Sequence, residues 1–138
     1  MIVKVLFLRQ PYAGLVATGR KTIETRVWGT SYRGPILVCS SLYGDGPDRG
    51  LALCFIDVYH VRMMTDADAE AACIDPYPKA RAWLLRNRRP LVRPFAIKGA
   101  LGLRDREVDD TLLACHPADP ANHDQVHDGS LWLFDPYA

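Results

Sequence analysis

Apolar residues in this chain fall mostly in short runs that suit strands. Residues 2–8, Ile-Val-Lys-Val-Leu-Phe-Leu, are β-branched and apolar with one polar break, and they predict a first strand. Pro11 suits the first turn of a helix. Tyr12, Leu15 and Val16 follow at i, i+3 and i+4 as a short apolar stripe. Gly19 is placed to end that helix as a C-cap. A strand is predicted over 22–28 and a loop over 29–34. Residues 35–41, Pro-Ile-Leu-Val-Cys-Ser-Ser, are apolar enough for the centre of a sheet. Three glycines and a proline make 43–50 a loop. Residues 51–64 read as one long strand, with Val58, His60 and Arg62 on one face and Tyr59, Val61 and Met63 on the other. Thr65 is a plausible N-cap for an Ala-rich helix over 66–73, with Asp66, Asp68 and Glu70 near its positive end.

Residues 79–88 predict a further helix, with Ala80, Trp83 and Leu84 as its buried stripe. Pro90 and Pro94 then punctuate the chain before strands at 95–97 and 100–103. Residues 115–128 are rich in Pro, Asp, His and Asn and read as a loop, and 129–134 as a closing strand. Many strands, few short helices and no regular βαβ alternation predict an α+β fold. Its expected core is a mixed sheet curled or closed into a β-barrel, with short helices packed around it.

The 138 residues suit a single domain spanning 1–138. No run approaches the ~20 apolar residues of a membrane helix. The apolar start contains Lys4, meets Arg9, and lacks both a basic leader and a small-residue cleavage site. We therefore expect a cytoplasmic protein with no membrane partner. Cys39, Cys54, Cys73 and Cys115 form no CxxC pair, which argues against a zinc knuckle or a thioredoxin motif. Cys39 and Cys54 sit in apolar runs and read as buried free thiols. A net charge of +1 hides segregation: residues 76–106 hold nine Lys or Arg and one acid, and 107–138 hold seven acids and no Lys or Arg. The arginines at 81–93 either contact phosphates or form a solvated surface paired with the acidic tail.

The candidate chemistry lies in Gly19-Arg20-Lys21-Thr22-Ile23-Glu24-Thr25-Arg26. Alternation along a strand puts Glu24 and Arg26 on one face, and Lys21 sits at the preceding turn. Three readings are open. As a binding site, Arg26 donates a planar fork, Lys21 a point charge, and Glu24 accepts from a base's amino edge. As a catalytic pair, a partly buried Lys21 acts as base or nucleophile and Glu24 shuttles a proton. As a structural element, Glu24 and Arg26 simply pair. Arg9, Gln10, Tyr12, Trp28, Arg33 and Ser40 flank this run or close neighbouring strands and complete the candidate ligand-binding set. Tyr12 reads equally as a core residue, whereas Trp28, before a glycine loop, is the better stacking residue. Ser40 closes a strand whose end should approach the same cleft, although such serines more often only satisfy backbone groups. His116, His123 and His127 lie with Asp119, Asp124 and Asp128 in one loop, but their spacing matches no metal site. His60 reads as a packed side chain. No metal or other cofactor is expected. The chain carries no P-loop, no G-x-G-x-x-G and no Ser-His-Asp order.

Taken together, Gln10-Pro11-Tyr12, the 19–26 run and Tyr32-Arg33-Gly34-Pro35-Ile36-Leu37-Val38 resemble the ASCH domain, a relative of the PUA domain. The 50–58 strand and residues 94–103 fit the same pattern, and the opening stretch is nearest the EOLA-like branch. The resemblance implies a small barrel with a cleft between barrel and helix. It implies as ligand RNA, or a modified nucleobase or nucleoside. Two activities known in the family stand beside simple binding: hydrolysis of N4-acetylcytidine, and metal-independent RNA cleavage. Lys21 matches a lysine that is catalytic in the amidohydrolase members. Those members carry Thr where this chain has Glu24, and a Glu on a later strand where the nearest acid here is Asp57.

Overall fold

A computed structural model describes residues 1–118. In chain order the elements are β1 (Ile2–Gln10), α1 (Tyr12–Ala17), β2 (Ile23–Arg26), β3 (Gly34–Gly44), β4 (Leu51–Met63), α2 (Ala69–Ala72), β5 (Arg81–Ala96) and β6 (Arg104–Glu107). Single 3-10 turns precede α2 at Asp66–Asp68 and follow β6 at Asp110–Leu112. The strands form one sheet in the order β2-β5-β4-β3-β1-β6. β1 and β3 run parallel, and every other pair is antiparallel.

The apolar run of β3 has the expected central place, between β4 and β1. Both its faces are covered, which is why its hydropathy does not alternate. On one face Leu6, Leu8, Ile36, Val38, Ile56, Val58, Trp83 and Leu85 pack under Ala13 and Val16 of α1. On the other, Val3, Val5, Leu37, Cys39 and Ala52 pack against Leu91 and Val108. Cys39 and Cys54 are buried free thiols, and burial pushes both up to about 12. Gly19 closes α1 at φ 87°, its N–H donating to Val16 O. Gly44 is required for a second reason: a Cβ there would collide with the Gln10 carbonyl where the ends of β3 and β1 meet.

Three expectations are corrected. Residues 79–88 are not a helix; they begin β5, a strand of 16 residues. Positions 83, 85, 87, 89 and 91 are all buried, but Trp83 and Leu85 face one side of the sheet and Leu91 the other, with register shifts along the pairing to β4 in between. Asn87 and Arg89 occupy two of these buried positions, so hydropathy conceals the strand. Residues 100–103 are likewise not a strand, and the pairing segment is β6. His60 is exposed, not packed. The expected strand at 129–134 and most of the 115–128 loop lie outside the described residues.

Among the described residues the hydrogen-bonded ladder does not close into a barrel. Its edges, β2 and β6, are four residues each, and each pairs on one side only. β6 stops opposite Val5, so the outer edge of β1 beyond that residue has no backbone partner strand among the described residues. The sheet curls enough to bring β2 to this free edge. There Arg26 Nη2 donates to Phe7 O at 2.9 Å, a side-chain link where a barrel would have a ladder.

Candidate functional site

The free edge of β1 is one wall of a cleft of about 260 Å³. Phe7, Leu8 and Arg9 form that wall, and Tyr12 comes from the start of α1. Glu24, Thr25 and Arg26 of β2 face it, with Lys21 before them and Ile74 and Tyr77 closing the far side. This volume lies just under the usual range for drug-sized ligands and suits a ligand of nucleobase or nucleoside size.

Lys21 is 1% exposed, yet it lines the cleft. Its Nζ donates to the carbonyl of Ala72 at the end of α2. It lies 3.6 Å from Glu24 Oε1, an ion pair too long for a hydrogen bond. The Tyr12 ring centroid is 5.3 Å from the same amine. Burial pushes the Lys21 amine below its ordinary value; the Glu24 charge opposes that shift and Arg26 adds to it. Glu24, 6% exposed, takes a second cation through Arg26 Nε at 3.0 Å. Two cations thus share one carboxylate at the cleft, leaving a local excess of positive charge. Tyr77 donates its hydroxyl to Thr25 Oγ1 at 3.0 Å, which fixes that wall.

Of the expected site residues, Arg9, Tyr12, Lys21, Glu24 and Arg26 meet in the cleft. The other four lie elsewhere. Gln10 is a brace: its Oε1 accepts from Gly14 N at 2.8 Å and its Nε2 donates to Pro47 O at 3.1 Å. Ser40 is fully buried, and its hydroxyl serves the backbone of Leu51 and Asp48. Trp28 packs edge-on against Trp83 with centroids 5.0 Å apart, and its carbonyl accepts from Trp83 Nε1. Arg33 donates to the carbonyls of Thr30 and Tyr32 on an exposed loop. Asp57 does not line the cleft either; Arg89 and Asn87 hold it inside the sheet.

Sequence reasoning missed Phe7, Thr25, Ile74 and Tyr77. One signal was available: Pro76-Tyr77-Pro78 sets an aromatic between two residues of fixed φ. The arginines at 81–93 do not form a continuous phosphate-facing stripe. Arg89 is internal, Arg88 Nη1 donates to Ala17 O at 2.9 Å, and Arg86 lies 5.0 Å from the Tyr59 ring. Arg81 and Arg93 are exposed. Among the described residues no group of His, Cys, Asp or Glu is arranged to hold a metal, and no helix is long and apolar enough to cross a membrane.

The mixed six-stranded sheet with few short helices is similar in fold to solved ASCH structures. ASCH from Zymomonas mobilis superposes with a TM-score of 0.53 at 17% identity, covering 68% of this chain and 73% of that one. A mutant form of the Zymomonas protein gives 0.51 at 16% identity, covering 68% and 75%. At these identities the likeness is one of fold. The sequence itself matches the ASCH domain family over residues 6–95, and the chain belongs to that family, which is generally proposed to bind RNA. No curated protein matches the sequence.

Proposed function

We propose that the cleft binds a nucleobase, as part of RNA or of a modified nucleoside. The observation that carries this reading is the position of Lys21, Glu24 and Arg26. They are mutually paired, yet they border an open cavity between two tyrosines. A structural ion pair has no need of a second cation or of an aromatic-walled hollow beside it. In the binding pose the base lies against Tyr12 or Tyr77, where stacking contributes about 1–3 kcal/mol. Glu24 accepts from an exocyclic amine, and Lys21 and Arg26 donate to a carbonyl or phosphate. The test is calorimetric titration with the four ribonucleosides and N4-acetylcytidine. Saturable binding by at least one of them, lost in Lys21→Met, is expected. No binding by any of the five sinks the proposal.

One observation favours a second reading, that of an amidohydrolase on N4-acylated cytosine. A nearly inaccessible lysine with a lowered pKa beside a carboxylate is a usual arrangement for acid–base work. In that reaction neutral Lys21 takes a proton from water as its oxygen adds to the acyl carbonyl. Glu24 relays the proton to N4 as the C–N bond breaks, giving cytidine and the free acid. Arg26 stabilises the carbonyl oxygen as it gains charge. Incubation with N4-acetylcytidine decides the matter. Release of cytidine that stops in Lys21→Met makes the protein an enzyme, and an unchanged substrate makes it a binder.

A further inference from the structure

The free edge of β1 has a second cavity on it. A groove of about 400 Å³ shares Phe7 and Arg9 with the cleft and runs on past Leu42, Tyr43 and Leu101. Those last three side chains are 72%, 75% and 85% exposed, an unusual display of apolar surface. Among the described residues no carboxylate lines the groove. Arg9 stands exposed at the junction of the two cavities, and it makes no hydrogen bond or ion pair with any described residue. Every other cation of the cleft is engaged by the protein itself.

We propose that this groove seats the base next to the one held in the cleft, so that the ligand is single-stranded RNA of at least two nucleotides. The proposal rests on the nucleobase reading of the cleft. Three features select this occupant over a free nucleoside. The two cavities adjoin, sharing Phe7 and Arg9 in their linings, as sites for successive bases of one strand require. Arg9 is an uncommitted cation at the point where the linking phosphate lies. The groove offers apolar and aromatic surface with few polar groups, which suits the face of a base and not its hydrogen-bonding edge. Recognition is therefore divided: the cleft reads the base edge through Glu24, and the groove accepts any neighbour by contact with its face.

The experiment extends the tightest nucleoside of the five by one phosphodiester-linked adenosine, on its 3′ or its 5′ side. One of the two dinucleotides is expected to bind roughly 5- to 100-fold tighter than the nucleoside. Leu101→Asp, at a residue that lines the groove and not the cleft, removes that gain and leaves nucleoside affinity unchanged. Arg9→Gln lowers the salt dependence of dinucleotide binding by about 0.7 in log–log slope, the value for one single-strand phosphate contact. Equal affinity of nucleoside and dinucleotides overturns the groove proposal and leaves the cleft reading intact. Failure of every nucleoside and dinucleotide overturns both. If Leu101→Asp alters only self-association, seen by analytical ultracentrifugation, the groove belongs to a protein contact and the proposal falls.

Discussion

Two buried clusters of charge lie in the same sheet and are built differently. Asp57 sits on β4 in the middle of the sheet and is 2% exposed. Its Oδ1 takes Arg89 Nη2 at 3.0 Å, and its Oδ2 takes Asn87 Nδ2 at 3.0 Å. Arg89 in turn donates to Asn87 O at 2.6 Å. One carboxylate oxygen meets the Arg89 guanidinium, and the other a neutral amide. The cluster at β2 has two cations for one carboxylate, and a lysine contact of 3.6 Å that is not a hydrogen bond. The difference follows from position in the ladder. A central strand is closed on both sides by neighbours, so buried charge there must be satisfied within the fold. An edge strand facing an unpaired edge leaves charge open on one side. Asp57 also borders a hollow of about 180 Å³ with Arg33, Tyr59 and Arg86, but both its oxygens are engaged by neighbours; this cluster therefore serves the fold, and the open one is available to a ligand.

The sharpest way to break this contrast is to remove one partner from each cluster. Asp57→Ala removes the buried carboxylate that Arg89 and Asn87 hold in the sheet, and a loss of about 3–5 kcal/mol is expected in urea denaturation. Replacing both partners by apolar residues, Asp57→Leu with Arg89→Met, recovers much of that loss. The protein that remains folded in Asp57→Ala binds nucleoside with unchanged affinity. A clear loss of affinity would mean that the two clusters are coupled.

Lys21→Met produces the opposite pattern. Nucleoside affinity falls about tenfold or more, the usual effect of losing a charged hydrogen-bonding group. Stability holds or rises, because the amine is held in the fold against its own desolvation. The sign with pH follows from that. The folded pKa lies below the ordinary 10.5, so between the two values the unfolded chain binds more protons. Stability of the parent protein relative to the variant therefore rises with pH through that window and levels off above 10.5. A flat difference between the two across this window would show that Lys21 is not held against desolvation.

The two clusters were not equally legible in the sequence. Lys21, Glu24 and Arg26 fall within six residues, so strand alternation and a single turn were enough to bring them together. The walls of the cleft were not readable, because Tyr77 and Phe7 reach it from distant segments and only the curl of the sheet joins them. Trp28 drew attention as an aromatic before a glycine, but its bulk is used against Trp83. The sealed cluster was hidden for a different reason. Asn87 and Arg89 hold interior strand positions, so β5 presented neither an apolar alternation nor an apolar run. Ala80, Trp83 and Leu84 then mimicked a helical stripe. Asn87 also takes φ 56°, and Pro90 lies opposite Cys54 beside a register shift. These irregularities bend a strand that hydropathy could not reveal. By contrast β1 and β3 are strands where their apolar runs predict them, and α1 is a helix where its stripe predicts one, although its buried pair is Ala13 and Val16 and Tyr12 and Leu15 are half-buried.

The third buried carboxylate is intermediate between the two, and it gives the smallest effect. Asp68 accepts from Arg62 at 2.7 and 2.8 Å and from Thr65 N at 2.8 Å, but the arginine is partly exposed. These donors hold the Asp68 carboxyl well below its ordinary 3.8. Its contribution is therefore complete above that value and is lost as pH falls through it toward the depressed folded value. Asp68→Asn is expected to cost about 1 kcal/mol at neutral pH, because solvent screens the arginine. The same variant should show a shallower loss of stability on acidification. Asp68 anchors the turn that leads into α2, and α2 supplies the Ala72 carbonyl that receives Lys21. Loosening that turn shifts the lysine without removing it, so nucleoside affinity should weaken, but by less than in Lys21→Met. An effect on binding as large as that of Lys21→Met would place the turn in the site itself, and the division between sealed and open charge would then have to be redrawn to include α2.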